Sequence, residues 1–91
     1  MGTKTVKFNQ DGINKLPNDK PVLYRIETQG GTPNYVGKAK KGRVRKRIAE
    51  HLGKIPGAKV RIEQFNSIND AAKKEKNVIK RNQPKYNEQG K

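Results

Sequence analysis

The chain has 91 residues, with 22 Lys and Arg against 8 Asp and Glu, no Cys and a formal net charge of +14. This length suits one small domain. The charge excludes an ordinary neutral-surfaced enzyme of small metabolites as the first hypothesis. It favours an acidic partner, with nucleic acid first and an anionic membrane surface second. Without cysteine, the chain has no disulfide scaffold, no zinc finger and no thiol nucleophile.

No run of residues approaches the roughly 20 apolar positions of a membrane span. The N-terminus also lacks the apolar core of a signal peptide. We therefore expect an intracellular protein that has no membrane partner.

Residues 1–20 are mostly polar, with a short alternating stretch at 5–8 and two clusters of turn-forming residues. We predict a loosely packed arm that could add one edge strand. Residues 21–91 carry the regular hydrophobic patterning, and they are predicted to form the folded domain.

Two strand-like segments predict a β-hairpin. Residues 22–27 and 34–38 alternate between the two faces, and the stretch between them has turn-forming residues. If Ile26 pairs with Tyr35, then Tyr24 and Tyr35 share a face, whereas a slip of one residue separates them. The sequence leaves this register open, and ordinary strand aromatics are the simpler interpretation of both tyrosines.

The hydrophobic period becomes helical between about 41 and 51, where apolar residues recur at four-residue spacing. Gly53 is predicted to end this helix. Residues 58–65 predict another half-buried strand. A second helix is predicted over 67–82, because its apolar residues recur at helical spacing and Pro84 prevents its continuation.

Three residues do not suit the helix faces on which they lie. Arg47 and His51 flank the apolar stripe of the first helix, and Glu75 lies on the apolar stripe of the second. A charge that faces inward is costly unless it is paired, hydrogen-bonded or metal-bound. A salt bridge between Arg47 and Glu75 explains these placements as well as a metal or catalytic site does. For His51, a hydrogen bond to backbone at the helix end is the simpler interpretation.

The basic residues concentrate in two runs. Seven lie between residues 38 and 47 without any acid, and six lie between 73 and 85, where Glu75 is the only carboxylate. Charge runs are usually solvated faces. Two runs that flank an inward Arg and Glu are, however, the arrangement expected of a phosphate-binding cleft. The nucleic-acid-binding candidates are Lys38, Lys40, Lys41, Arg43, Arg45 and Lys46.

Five segments resemble, in order, the signature motifs of the GIY-YIG nuclease family. They are 21–24, 35–40, 47–51, 75–80 and 83–87. The first two resemble the tyrosine-containing strand signatures, here Val-Leu-Tyr, which lacks its Gly, and Tyr-Val-Gly. The third resembles the helix segment in which an essential Arg precedes a His or Tyr by four residues, for which Arg45 is the alternative to Arg47. The last two resemble the metal-ligand helix and the closing Asn.

The resemblance implies an α/β (α+β) fold, with a small three-stranded antiparallel sheet flanked by helices. It also implies hydrolysis of phosphodiester bonds in DNA with Mg²⁺ or Mn²⁺, held by Glu75. One carboxylate suffices, because Mg²⁺ keeps several of its waters. The implied catalytic residues are Tyr24, Tyr35, Arg47, His51, Glu75 and Asn87, of which the last orders the site.

Roles for these residues follow from the resemblance. Arg47 would hold the scissile phosphate and its developing charge. Tyr24 is assigned as the general base, and Tyr35 as its partner in positioning water and phosphate, although the two roles could be exchanged. A phenol has an unperturbed pKa of about 10, and Lys38, Arg47 and the metal are expected to lower it. His51 would relay protons or bind the phosphate.

The resemblance thus favours a DNA endonuclease, cytoplasmic or nucleoid-associated, without a small-molecule cofactor. The alternative is a catalytically silent nucleic-acid-binding module that retains the fold. A basic ribosome-associated structural protein ranks third, because it gives no reason for an inward Glu75.

Overall fold

The computed structural model describes residues 3–82, which form a four-stranded antiparallel sheet and three helices. The strands are β1 (Thr3–Lys7), β2 (Val22–Glu27), β3 (Pro33–Ala39) and β4 (Lys59–Gln64), and the helices are α1 (Gln10–Asn14), α2 (Val44–Ala49) and α3 (Ile68–Asn82). The strand order across the sheet is β1-β4-β2-β3. The expected α+β architecture is confirmed, with four strands instead of three.

The additional strand comes from the N-terminal arm. β1 pairs with β4 along its whole length and exposes most of its side chains, as suits an edge strand. The expectation of loose packing in the arm is wrong, because Ile13 and Leu16 are fully buried. These two apolar residues stand isolated among polar ones, so no periodic pattern revealed that they belong to the core.

Each face of the sheet carries an apolar cluster. On the first face, strand residues such as Tyr24 and Ile62 pack with the arm and with Val44 and Ile48 of α2. On the second face, strand residues pack against α3. α2 and α3 therefore lie on opposite faces of the sheet.

The hairpin between β2 and β3 has the register that brings the two tyrosines together. Ile26 lies opposite Tyr35, and Tyr24 lies opposite Gly37. Because successive side chains alternate between faces, Tyr24 and Tyr35 both lie on the first face. The register that the sequence left open is thus settled.

α2 is shorter than the predicted helix. Gly42 has a φ of 82°, a left-handed conformation that prevents the helix from beginning earlier. After Ala49, most of the hydrogen bonds join residues three apart instead of four, as in the bond from the His51 N–H to the Ile48 carbonyl at 3.1 Å. At the start of α3, the Asp70 N–H donates to the Ser67 hydroxyl at 3.2 Å, as a side-chain cap. Within residues 3–82, no helix is both long and apolar enough to cross a membrane.

Candidate active site

Three aromatic rings meet on the first face of the sheet. The ring centroids of Tyr24 and Tyr35 are 6.0 Å apart. The His51 ring, which follows α2, lies 5.7 Å from Tyr24 and 4.5 Å from Tyr35 between centroids. Tyr24 is fully buried, whereas Tyr35 and His51 are half-buried. The solvent therefore reaches this cluster from the side of Tyr35 and His51.

A hydrogen bond joins the buried tyrosine to the histidine. The Tyr24 hydroxyl oxygen lies 2.8 Å from His51 Nε2. Burial raises the pKa of Tyr24. Burial and the nearby Arg47 lower the pKa of His51. The phenol is therefore protonated and the imidazole neutral near pH 7, and the direction of the bond is set by which ring nitrogen carries the imidazole proton. The partner of Nε2 is thus a side chain, and not the backbone expected from the helix-end position.

The direction of the Tyr24 pKa is opposite to the one expected from the sequence. Arg47 does lower this pKa, but burial outweighs it, and Tyr35 and Glu75 also act in the raising direction. Desolvation favours the neutral form of a phenol, and here the hydroxyl is enclosed by protein. Arg47 thus acts in the expected direction, but its effect is smaller than that of burial in the chain without a metal ion.

Gly37 makes the approach of the two tyrosines possible. A Cβ atom at this position would lie 2.6 Å from the Tyr24 ring and hydroxyl, and 2.9 Å from the Tyr35 ring. Any side chain at position 37 would therefore displace both rings. Gly37 was not among the predicted site residues, although a glycine inside a strand often marks such a close approach.

Arg47 lies on α2 with about half of its side chain exposed, at 52%. Its guanidinium is 3.5 Å from the carboxylate of Glu50. The proposed salt bridge with Glu75 is wrong, because α2 and α3 lie on opposite faces of the sheet. The positive charge of Arg47 nevertheless acts on both Tyr24 and His51, since it lowers the pKa of each.

Glu75 lies on α3 beside the edge strand β3. Its side chain is 19% exposed, so the inward placement predicted from the helical period is confirmed. Lys38 of β3 donates to Glu75 Oε1 at 3.1 Å. The carboxylate raises the pKa of Tyr24, so its charge acts on the aromatic cluster across the edge of the sheet.

The remaining predicted residues are the six basic candidates and Asn87. The six nucleic-acid-binding candidates in the first basic run all have exposed side chains. Two of these six already have partners in the protein: Lys38 bonds Glu75, and Arg45 Nε donates to the Leu16 carbonyl at 2.6 Å. Asn87, the predicted closing residue, lies outside the described residues.

Solved structures and curated sequences resemble this chain. The GIY-YIG N-terminal endonuclease domain of UvrC from Thermotoga maritima, bound to its catalytic magnesium, matches with a TM-score of 0.71 and 25% identity. The match covers 86% of this chain and 93% of that domain. The chain belongs to the GIY-YIG nuclease superfamily. A point mutant of the same T. maritima domain shares the GIY-YIG fold at a TM-score of 0.70 and 24% identity, covering 85% of this chain and 91% of that one.

Among curated sequences, this GIY-YIG chain is 34% identical over 95 aligned positions to UvrABC system protein C from two strains of Bacteroides fragilis. The alignment covers 92% of this chain. The chain spans 15% of the length of those relatives. No protein-family model matches the chain.

The GIY-YIG signature departs from its usual form at the first position, where Val22 stands in place of glycine. Val22 is fully buried in the first-face cluster and pairs in regular antiparallel register with Ala39. The missing glycine therefore leaves the strand that carries Tyr24 undistorted.

The donor set suits one kind of metal ion. The described residues contain no group of three or more His, Cys, Asp or Glu side chains that could hold a metal. A metal at Glu75 would thus depend on one protein carboxylate and on water. Mg²⁺ accepts such a set because it prefers oxygen ligands and keeps several waters, whereas Zn²⁺ takes three or four protein ligands. The Lys38 ammonium group lies 3.1 Å from Oε1 of this carboxylate, so it would compete with a metal ion for that oxygen.

Proposed function

We propose that this GIY-YIG domain is a divalent-metal-dependent endonuclease that hydrolyses phosphodiester bonds in DNA. The observation that supports it is the cluster of Tyr24, Tyr35 and His51, on which the charges of Arg47 and Glu75 both act. The related T. maritima domain carries magnesium as its catalytic cation. The net charge of +14 favours a polyanionic substrate. DNA as substrate implies action inside the cell, in the cytoplasm or on the nucleoid.

Arg47 is the proposed phosphate-binding group. It is exposed, and its partner Glu50 is exposed as well, at 48%. Exposed ion pairs contribute little to stability, so exchanging Glu50 for a phosphate oxygen costs little. A guanidinium can bind a phosphate through two parallel hydrogen bonds and stabilise its developing charge. The exposed lysines at 40, 41 and 46 would hold the neighbouring backbone phosphates.

Tyr35 is the proposed general base, with Tyr24 in the supporting role. A general base must reach the water from which it takes a proton. Tyr35 is partly exposed and can do so, whereas Tyr24 is fully buried. In this role the Tyr24 O–H would donate to His51 Nε2, 2.8 Å away, and the proton of the neutral imidazole would be on Nδ1. His51 is thereby oriented to donate from Nδ1 to water or to a phosphate oxygen.

Glu75 is the proposed ligand of the divalent cation. Lys38 must move away from Glu75 for the carboxylate to take this role, and it then adds a positive charge beside the bound phosphate. When bound, Mg²⁺ supplies positive charge that stabilises the transition state at the phosphate and the leaving oxygen.

Cleavage of supercoiled plasmid DNA tests the proposal. The protein is incubated with plasmid over a titration of Mg²⁺ and, separately, Mn²⁺, with EDTA as the metal-free control. Nicked and linear DNA should increase with metal concentration and should be absent in EDTA. Binding of the plasmid without cleavage at every metal concentration would contradict the proposal and would indicate a binding module that retains the fold.

A further inference from the structure

The N-terminal end of α2 is capped by a residue from the arm. Arg43, the residue that precedes the helix, makes no side-chain cap. Instead, the side-chain oxygen of Asn18 accepts hydrogen bonds from the N–H groups of Val44 at 2.9 Å and Arg45 at 3.4 Å. The backbone carbonyl of Asn18 also accepts from the Gly42 N–H at 2.8 Å. One residue of the arm thus satisfies three donors at the entry to this helix, where N–H groups otherwise have no partner.

Neighbouring contacts tie the same part of the arm to α2. Arg45 Nε donates to the Leu16 carbonyl at 2.6 Å. Ile13 and Leu16 are fully buried in the cluster that also contains Val44 and Ile48. The arm therefore holds α2 in place through apolar contacts along one face of the helix and through hydrogen bonds at its first turn.

The position of α2 matters because of what the helix carries. Arg47 lies one turn after Val44, and His51 follows the end of the helix. α2 has six residues, and a helix this short has little stability of its own. The position of α2 therefore depends on its contacts with the rest of the protein. If its first turn is displaced, Arg47 on the helix and His51 after it are displaced as well. The bond between His51 and Tyr24 is 2.8 Å long, and an additional 1 Å would break it.

We propose that Asn18 is a positioning residue of the active site, whose side-chain oxygen fixes α2 so that His51 meets Tyr24 and Arg47 faces the substrate. Asn18 itself touches neither substrate nor reacting atoms. The catalytic consequence rests on the proposed nuclease function. The effect on His51 does not, because it can be measured without DNA.

Three variants separate the role of the oxygen from general effects of mutation. Asn18→Ala removes the acceptor. Asn18→Asp keeps an acceptor of the same size, and its negative charge suits a helix N-terminus. Asn14→Ala is the matched control, because Asn14 accepts from Gln10 at 2.9 Å on an exposed part of the arm.

NMR of the imidazole nitrogens provides the DNA-free readout. His51 is the only histidine of the chain, so its signals need no further assignment. In Asn18→Ala, the Nε2 signal should move towards its position in Tyr24→Phe, in which the hydrogen bond is absent. In Asn18→Asp and Asn14→Ala, it should keep the parental position. A folded Asn18→Ala protein with parental His51 signals would overturn the proposal.

Cleavage kinetics supply the second readout. Asn18→Ala should lower kcat on the order of tenfold to a hundredfold, since small misplacements of catalytic groups have effects of this size. KM should change less than kcat, because the phosphate-binding residues Lys40 and Lys41 lie outside α2, and Asn18→Asp should restore the parental kcat. If Asn18→Ala fails to fold, Asn18→Asp decides: loss of the Tyr24 bond or of kcat in that variant overturns the proposal. The absence of cleavage by every protein, with the NMR results as predicted, would contradict the nuclease function and support the role of Asn18.

Discussion

The Tyr24 hydroxyl oxygen and Nε2 of His51 lie 2.8 Å apart in a hydrogen bond that spans 27 positions of sequence. This bond joins the central strand β2 to the chain that follows α2. In the proposed tautomer, Nε2 accepts from the phenol and the neutral imidazole carries its proton on Nδ1. Tyr24 is fully buried, so its proposed effect on the reaction passes through His51, whereas the half-buried Tyr35 is accessible to solvent.

Replacing each tyrosine with phenylalanine should separate these roles. Both variants keep the ring, so Tyr24→Phe should lose about 1 kcal/mol of unfolding free energy with its hydrogen bond. Tyr35→Phe should lower the cleavage rate about 100-fold or more, as expected for loss of a general base. It should also abolish the rise of rate with pH, whereas Tyr24→Phe keeps that rise at a lower level. Single-turnover rates across a pH series check this, and the opposite pattern would exchange the two roles.

Gly37→Ala should damage the aromatic cluster, because the new methyl group would lie within 2.9 Å of both tyrosine rings. Overpacking of this kind costs about 1–3 kcal/mol, and the displaced rings should also reduce cleavage. Gly30→Ala is the control, since its Cβ would come no closer than 4.0 Å to a neighbouring side chain. Thermal unfolding and cleavage assays on both variants test the prediction. Equal melting temperatures and cleavage rates for Gly37→Ala and Gly30→Ala would argue against the close approach of the tyrosine rings to Gly37.

The sequence reduced the relationship between the tyrosines to two alternatives, because successive side chains of a strand alternate between the faces of the sheet. A register that pairs Ile26 with Tyr35 puts both tyrosines on one face, and a slip of one residue separates them. The observed pairing of Ile26 with Tyr35 is the one that brings both tyrosines to the first face.

The partners of the charged residues could not be predicted in the same way. A helical period gives the direction of a side chain, so it identified Glu75 as inward-facing. The helical period does not indicate which face of the sheet each helix covers. The sequence therefore could not exclude a salt bridge between Arg47 and Glu75. Asn18 lies 26 positions before Val44, and no local pattern connects a turn residue in a polar arm with the N–H groups of a distant helix.

Acidification should destabilise the protein through His51. The pKa of His51 is lowered in the folded chain by burial and by Arg47. Between that lowered value and the ordinary value of about 6.5, the unfolded chain binds the proton more readily than the folded chain. Stability should therefore fall as the pH decreases through this window and recover above it.

The melting temperature at a series of pH values between about 7.5 and 5.5 measures this effect, since carboxyl groups titrate mainly at lower pH. His51→Gln should remove most of the dependence, because the chain has no other histidine. If the melting temperature of His51→Gln depends on pH as that of the parent does, the loss of stability arises from groups other than His51.

DNA binding should depend strongly on salt. If the basic residues make about six to ten phosphate contacts, affinity should fall by roughly three to five decades between about 50 and 200 mM salt. Lys40→Ala, just after the edge strand β3, should reduce the salt slope by about 1. Lys7→Ala is the control, because β1 forms the opposite edge of the sheet. Equal slopes for the two variants would contradict the location of the binding surface beside β3.

Glu75 is proposed to hold the divalent cation that cleavage requires. Replacing Glu75 with glutamine is the most direct test of this role. Glu75 and Glu63 are similarly buried, with 19% and 24% of their side chains exposed, and each has a basic partner, Lys38 and Arg25 respectively. Glu63→Gln is therefore the matched control for the loss of a half-buried, ion-paired carboxylate.

The decisive measurement is single-turnover cleavage at saturating Mg²⁺, together with DNA binding by each variant. Glu75→Gln should bind DNA as the parent does and should give no detectable cleavage, because it loses the metal ligand and no phosphate-binding cation. Glu63→Gln should bind and cleave at close to the parental rate. Metal-dependent cleavage by the Glu75→Gln variant at the rate of the Glu63→Gln variant would contradict the account and would reduce Glu75 to an ion-pair partner of Lys38.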